Sequence, residues 1–515
     1  MQINTKVSDK IVRNTVFNGI GYAWGILITI LLTPYIITHI GVAKYGVWAT
    51  LSVLTGYFGL LDLGLGQSFE RYIAEYVAKR DTNSINDTVN AGTTFYLLLG
   101  IVFLVAGFLL TEFLLKLFRI PPALREDAAF VFRWGLVIFA FTNIFGAFTA
   151  VLRGFQRMDL SNKIVLFSTT INAIGAIFFL ESGFGLKGLV ANQLIVVATG
   201  GLASFAVSFN IFPQLDFHPF RFNTNIFSKL ASFGLKRWLT SMEEVLIFQT
   251  DKIIISRFLG VQIVGLYQIG YSLAEKAFST VRLLTSAIIP AASELHANSA
   301  KDSLKILYFR STKYLWGIGL PIFLFLAIMA TPIIEIWMGK PFPISANILR
   351  IFAFTFIAVI PALSSATIAV GIEHPEFQLI GNTCQVVLKL FLIALLLAKT
   401  GYWGIILSTL FSGIVSTLYI IRRFHLFFSI TIREFQEKTL FLHILGFSLF
   451  VSTIFLFLQQ YCMTAFFQHL SRNRGLLLLI VEFIIFIAIH GVFLIFRVFS
   501  NSDRTIVKKL LNFNI

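Results

Sequence analysis

Twelve ionisable side chains sit in stretches otherwise dominated by Leu, Ile, Val, Phe and Gly: Asp62, Arg133, Glu243, Glu244, Asp251, Lys252, Glu275, Lys276, Arg282, Lys389, Glu482 and His490. An ionisable group surrounded by hydrocarbon costs at least about 2.5 kcal/mol, so each calls for a partner, a wet cavity or a function. Asp251 and Lys252 are chain neighbours, point to different faces of one helix and cannot satisfy each other. Glu275 and Lys276 stand near the middle of the next stretch, with Arg282 nearer the cytoplasm, and Lys389 stands in Val386-Val387-Leu388-Lys389-Leu390-Phe391 without an acid in its own stretch. Lys252, Lys276, Arg282 and Lys389 form a basic set that the nearby acids only partly offset, which suits an anionic ligand such as a phosphate-bearing head group. The structural alternative is pairing between adjacent helices, Asp251 with Lys276 or Glu275 with Lys252. Arg133 either binds ligand or snorkels to the interface. Asp62, in Leu61-Asp62-Leu63-Gly64-Leu65-Gly66 with Glu70 and Arg71 beyond, reads either as a gate or head-group contact or as an interfacial acid. His490 reads as a packing histidine and Glu482 as an acid bonded to a neighbour. The binding candidates are therefore Lys252, Lys276, Arg282, Lys389 and Arg133, and the coupling or gating candidates are Asp62, Arg71, Asp251 and Glu275. No catalytic or metal site is expected.

The elements that hold these groups follow from composition. Of 515 residues, 57% are hydrophobic and 13% charged. Soluble domains carry about a quarter charged residues, so a soluble enzyme, a nucleic-acid-binding domain and a disordered chain are excluded. Cys384 and Cys462 both lie in apolar runs and imply neither disulfide nor metal. The polar start runs into an apolar stretch too long for a cleavable signal. Runs of about 20 apolar residues, the length of a spanning helix, occur near 15–38, 45–66, 91–115, 129–152, 164–181, 188–210, 238–258 and 265–289. They continue near 314–335, 346–370, 378–398, 403–424, 441–462 and 476–498. The expectation is an all-α polytopic membrane protein with about fourteen transmembrane helices. Lys and Arg concentrate in alternate loops, including Lys6, Lys10, Arg13, Lys79, Arg80, Arg153, Arg157, Arg422, Arg423, Lys508 and Lys509, which puts both termini in the cytoplasm. The loops are too short for a soluble catalytic domain, so the work is done inside the bilayer.

Three patterns recur at an offset of about 217 residues. Gly41-Val42-Ala43-Lys44-Tyr45-Gly46-Val47-Trp48 matches Gly260-Val261-Gln262-Ile263-Val264-Gly265-Leu266-Tyr267; Gly154-Phe155 matches Gly371-Ile372; and Gly185-Leu186-Lys187-Gly188-Leu189 matches Gly401-Tyr402-Trp403-Gly404-Ile405. Six spans per half make the repeat parallel, with a cleft where alternating access can operate. The expected domains are 1–212 (spans one to six), 213–425 (seven to twelve) and 426–515 (two added spans and a tail). A duplicated channel should show a ring of selectivity groups, and none is visible.

Thr33-Pro34-Tyr35, Ile40-Gly41, Tyr45-Gly46-Val47-Trp48, Leu61-Asp62-Leu63-Gly64-Leu65 and Arg71-Tyr72-Ile73-Ala74 resemble the polysaccharide (O-antigen) flippases. So do Asp251-Lys252-Ile253-Ile254-Ile255, Leu259-Gly260, Val264-Gly265-Leu266-Tyr267 and Ile289-Pro290. These flippases are the polysaccharide-transport branch of the multidrug/oligosaccharidyl-lipid/polysaccharide (MOP) exporter superfamily. The resemblance covers essentially the whole chain. It implies two V-shaped lobes with spans one, two, seven and eight facing a cavity. It also implies a polyprenyl-pyrophosphate-linked oligosaccharide moved from the cytoplasmic to the outer leaflet of a bacterial inner membrane. The related lipid II flippases use arginines from the cavity helices, and their last two helices form a lipid groove; Lys276 and Arg282 are not matched one by one to those arginines. Implied partners are the lipid-linked oligosaccharide and membrane lipids, with a polysaccharide polymerase or assembly proteins left open, and no nucleic acid. No cofactor is expected, and without a Gly-x-x-x-x-Gly-Lys-Ser/Thr motif ATP is not the driver. The rival readings are an ion-coupled multidrug exporter or a lipid II flippase of the same superfamily. A membrane glycan polymerase is a further rival, disfavoured by the short outer loops.

Overall fold

Residues 5–458 and 472–499 are described by the computed structural model, and among them all regular structure is helical. The side chains of Lys6, Lys10 and Arg13, and all of Cys462, Arg504, Lys508 and Lys509, lie outside the described residues. The chain forms two compact units, Met1–Gly265 and Leu266–Ile515.

In the first unit α1 (Thr5–Gly59) breaks at Gly41, where φ 77° and ψ 163° are open to glycine and strained for other residues. The two arms are each long enough to cross a bilayer. The second arm ends in a 3-10 turn (Leu60–Asp62) followed by left-handed Leu63 and Gly64. Then come α2 (Leu65–Lys79), α3 (Thr82–Leu109), short α4 (Thr111–Leu117), α5 (Arg125–Gly154), α6 (Met158–Glu181), α7 (Gly185–Ile211) and α8 (Thr224–Leu259). Phe69 and Ile73 of α2 pack into a core with Val89 and Tyr96 of α3, Phe148 and Val151 of α5, and Leu230 of α8.

The second unit contains most of α9 (Val261–Leu283), then α10 (Ile288–Ala297), α11 (Lys301–Ile328), α12 (Ala330–Met338), α13 (Pro343–Gly371), α14 (Glu376–Thr400) and α15 (Tyr402–Phe428). It closes with α16 (Ile432–Thr439), α17 (Phe441–Leu458) and α18 (Arg472–Phe493). The break between α11 and α12 frees the Ala327 carbonyl, which Arg350 of α13 caps with its Nε at 3.2 Å while donating to Thr331 and Asn347.

Eleven helices among the described residues are long and apolar enough to span a membrane, so the chain is a multi-pass membrane protein. The fourteen expected stretches map onto these eleven plus three others. The second arm of α1 follows the first directly across the Gly41 break, and α8 and α9 are long enough to span but are less apolar than the eleven.

The repeat reappears as backbone conformation. Gly260 (φ 90°, ψ 158°) copies Gly41, and Gly185 (φ 52°) and Gly401 (φ 59°) both have positive φ. Gly154 and Gly371 are both close-approach sites: a Cβ would lie 2.5 Å from Ile73 Cγ2 in one and 2.7 Å from Ala292 Cβ in the other.

The packing boundary falls at 265/266, whereas the repeat read from the sequence is expected to divide at 212/213. The chain after α7 is the reason. Asn86 of α3 donates to the Gln214 carbonyl (3.0 Å) and accepts from Asp216 N–H (3.1 Å). One turn on, Asn90 donates to the Asp216 carbonyl (2.8 Å) and accepts from His218 N–H (2.9 Å). Two asparagines thus mimic a strand edge and zip the extended connection onto α3, which delivers α8 to the first unit.

Candidate functional site

The second arm of α1 and the turn after it meet α8 and the start of α9 through glycines. A Cβ on Gly46 would collide with the Val261 carbonyl, and one on Gly265 with the Val42 carbonyl. Lower down, Gly64 and Gly234 touch backbone to backbone, and Trp238 Nε1 donates to the Leu60 carbonyl at 2.6 Å. This close approach buries the polar residues between them. Lys252 is 2% exposed and donates from Nζ to Ser52 Oγ (3.1 Å) and Gln249 Oε1 (3.2 Å). Its neighbour Asp251 is 1% exposed, and Tyr57 shares a hydrogen bond with Thr250 at 2.7 Å. Ser52, Tyr57, Gln249 and Thr250 are partners that charge-counting passed over; their signal is polar residues recurring along two apolar helices.

Asp62 sits on the 3-10 turn, accepting from Tyr96 OH at 2.5 Å and from Gly66 N–H at 3.3 Å, so it caps the start of α2. Arg71 is exposed on α2 and stacks over Phe233 of α8 at 4.1 Å from the ring centroid. Arg133 lines a hollow of about 620 Å³ with Glu126 and Lys187, donating to Thr111 Oγ1 at 3.4 Å.

In the second unit Lys276 pairs with the adjacent Glu275 at 3.3 Å, and Glu275 also accepts from Ser279 Oγ at 2.7 Å. Arg282, on the same helix, is exposed. Lys389 is 1% exposed on the α14 face that packs on α15. The contacts of Gly381 with Ser416 and of Gln385 with Gly413 set an antiparallel register that brings Lys389 level with Thr409. The candidate cations therefore separate into two classes. Lys276, Arg282, Arg71 and Arg133 reach the unit surface, whereas Lys252 and Lys389 are enclosed by helix packing. Glu482 is buried on α18 with no hydrogen bond to either carboxylate oxygen among the described residues, and His490 donates from Nδ1–H to the Phe486 carbonyl (2.8 Å).

An uncharged feature went unnoticed in the sequence. A hollow of about 340 Å³ lies among α5, α6 and α7, walled by Thr142, Thr149, Ser168, Thr169, Asn172 and Gln193. Each helix contributes residues at i, i+3, i+4 and i+7 spacing, so three helix faces converge, their polar groups interleaved with Phe145, Ile164, Val165, Val196 and Val197. Neutral hydroxyls and amides are cheap at depth compared with charges, and they offer donors and acceptors in the pattern that polyhydroxylated ligands match. Ser and Thr in apolar helices bond back to the i−4 carbonyl and look unremarkable one at a time, which is why the cluster is visible only in three dimensions.

Residues 40–346 match the model of a family described as polysaccharide biosynthesis proteins. The chain belongs to that family. The motifs around Gly41–Trp48 and Gly260–Tyr267, which imply the polysaccharide branch of the MOP superfamily, fall within the matched segment. A candidate O-antigen transporter of Shigella flexneri is 24% identical over 410 residues, covering 78% of this chain and 94% of that protein. Among solved structures, the lipid II flippase MurJ in an inward closed conformation overlays with a TM-score of 0.71 at 14% identity, over 94% of this chain and 99% of that one. An inward-facing multidrug resistance transporter of the MATE family gives 0.64 at 16% identity, over 81% and 94%. The chain thus shares its fold with these MOP superfamily transporters, with MurJ over 94% of its length.

Proposed function

We propose that the protein is a flippase that carries a polyprenyl-pyrophosphate-linked oligosaccharide, a polysaccharide or O-antigen repeat unit, from the cytoplasmic to the outer leaflet of a bacterial inner membrane by alternating access. Both termini are cytoplasmic in this reading, which rests on the Lys and Arg bias of the loops. The observation that carries it is the hollow of α5, α6 and α7, where Thr142, Thr149, Ser168, Thr169, Asn172 and Gln193 set hydroxyls and amides into an otherwise apolar wall, a mixed surface that suits the hydroxyls and ring faces of a sugar. The family and the Shigella flexneri relative support the same substrate class.

The surface-reaching cations Lys276 and Arg282 take the pyrophosphate, and Arg133 meets anionic groups at the other end of its unit. Lys252 and Lys389 act from behind helix walls, raising the local potential without touching ligand. Asp62, Arg71, Asp251 and Glu275 serve gating or coupling. An inside-negative membrane drives a head group of about two negative charges outward by roughly 4–5 kcal/mol per 100 mV, so ATP is not required.

The test uses proteoliposomes holding the full chain and a fluorescent polyprenyl-pyrophosphate oligosaccharide, with head-group accessibility read by a membrane-impermeant quencher. The potential-dependent loss of inner-leaflet signal should fall by about tenfold in Lys276→Ala and Arg282→Ala, the loss of one charge-assisted contact each. Unaltered flipping in both variants would overturn the cationic site. Export of cationic dyes with no movement of the lipid-linked glycan would overturn the substrate class.

A further inference from the structure

The second unit contains a groove that the transport reading does not use. It has a volume of about 760 Å³ and is walled by α11, α13, α15, α16 and α17, with no residue of α18 in its lining. One face is a stripe of α15 that includes Ile414, Leu418, Arg422 and His425; Trp316, Pro361 and Ile432 stand across from it. Leu418 is 63% exposed and Ile432 73%, so the unit itself does not cover them.

Its polarity is graded. From Ile414 to Arg422 the stripe climbs eight residues, about 12 Å, and everything along it except Thr417 is apolar. At the Arg/Lys-rich end the lining turns polar. His425 is held by Tyr308 (2.8 Å), whereas exposed Arg422 has no acidic partner among the described residues. Arg423, next in the chain, turns the other way and lies over Phe377. Trp316 stacks on Phe441, the first residue of α17, which places that tryptophan beside the polar end.

We propose that this groove holds an anionic phospholipid of the leaflet on the Arg/Lys-rich side, with one acyl chain along the Ile414–Leu418 stripe and the phosphate on Arg422. Apolar walls at bilayer depth select hydrocarbon. An unpaired guanidinium at the mouth selects a phosphate, whose oxygens match its fork of N–H donors. Basic pockets between spanning helices near a charged leaflet bind lipid head groups by the same combination.

Trp316 lies in the groove wall and supplies a reporter. The full chain is reconstituted in phosphatidylcholine vesicles containing increasing fractions of chain-brominated phosphatidylglycerol or chain-brominated phosphatidylcholine. The Trp316 component is taken as the difference from Trp316→Phe, because the chain has 7 tryptophans. Brominated phosphatidylglycerol is expected to quench this component at a lower lipid fraction than brominated phosphatidylcholine. Arg422→Gln should raise the half-quenching fraction about tenfold, and Arg423→Gln should leave it unchanged. Should Arg422→Gln fail to accumulate, Arg422→Lys keeps the charge but loses the fork and should raise the fraction by a smaller factor. Equal quenching by the two lipids, or a half-quenching fraction unmoved by whichever Arg422 variant accumulates, overturns the proposal. So does reversal by inorganic phosphate, which would indicate an ion site, or displacement by polyprenyl phosphate at a much lower fraction, which would make the occupant the isoprenoid.

Discussion

Lys252 shows what a buried cation does here. It is enclosed between α8 and the second arm of α1 and bonded to Ser52 and Gln249, so its charge sits in a low-dielectric setting where it is weakly screened. Lys252→Met keeps most of the volume and removes the charge. It should leave thermal stability in detergent unchanged or raised, as replacing buried ions with hydrophobic residues often does, while slowing flipping. Lys252→Ala leaves a cavity and should lower stability by about 2 kcal/mol in the same assay. Outside the membrane, Asp81 caps α3, accepting from the backbone and hydroxyl of Ser84, and these bonds hold its carboxyl below the ordinary value of 3.8. A depressed folded pKa contributes stability above the unfolded value and loses it as pH falls through the folded one. Asp81→Ala should therefore lower the thermal midpoint near neutral pH, and the gap from the parent should close in acid below that range.

At the scale of elements, the close pairing of α1 with α8 and the start of α9 depends on the absence of side chains. Gly46→Ala would push a methyl into the Val261 carbonyl, which backbone on both sides prevents from moving, and should cost about 1–3 kcal/mol or abolish folded yield, as read by gel filtration of the purified protein. The connection between α7 and α8 makes a different demand. Asn90→Ala strips partners from the Asp216 carbonyl and His218 N–H, both beside buried surface, and should destabilise by about 1–3 kcal/mol. Protease cleavage after Gln214 should appear in that variant and not in the parent.

For the whole molecule, the split at Gly265 implies that α8 belongs with the helices before it. A fragment ending at Gly265 should insert and resist proteolysis, and one ending at residue 212 should be degraded, because it leaves Phe69, Tyr96 and Leu230's partners uncovered. Much of this was legible in the chain. The charge deficit and the run lengths gave the all-α membrane class and the spanning segments. The offset glycines gave the repeat, since Gly41 and Gly260 or Gly185 and Gly401 mark backbone conformations that other residues adopt only under strain. What depends on a single helix, its length, its apolarity and its glycine breaks, is fixed by local sequence. Packing between helices decided the rest. It buried Lys252 and Lys389 while leaving Arg282 exposed and Lys276 half-buried, joined Asp62 to Tyr96, gathered Ser, Thr, Asn and Gln from three helices into one hollow, and left Arg422 at the mouth of a groove. Which face of a helix meets a neighbour is set by contacts distant in sequence, and that is why only the folded chain sorts equivalent lysines into wall and surface.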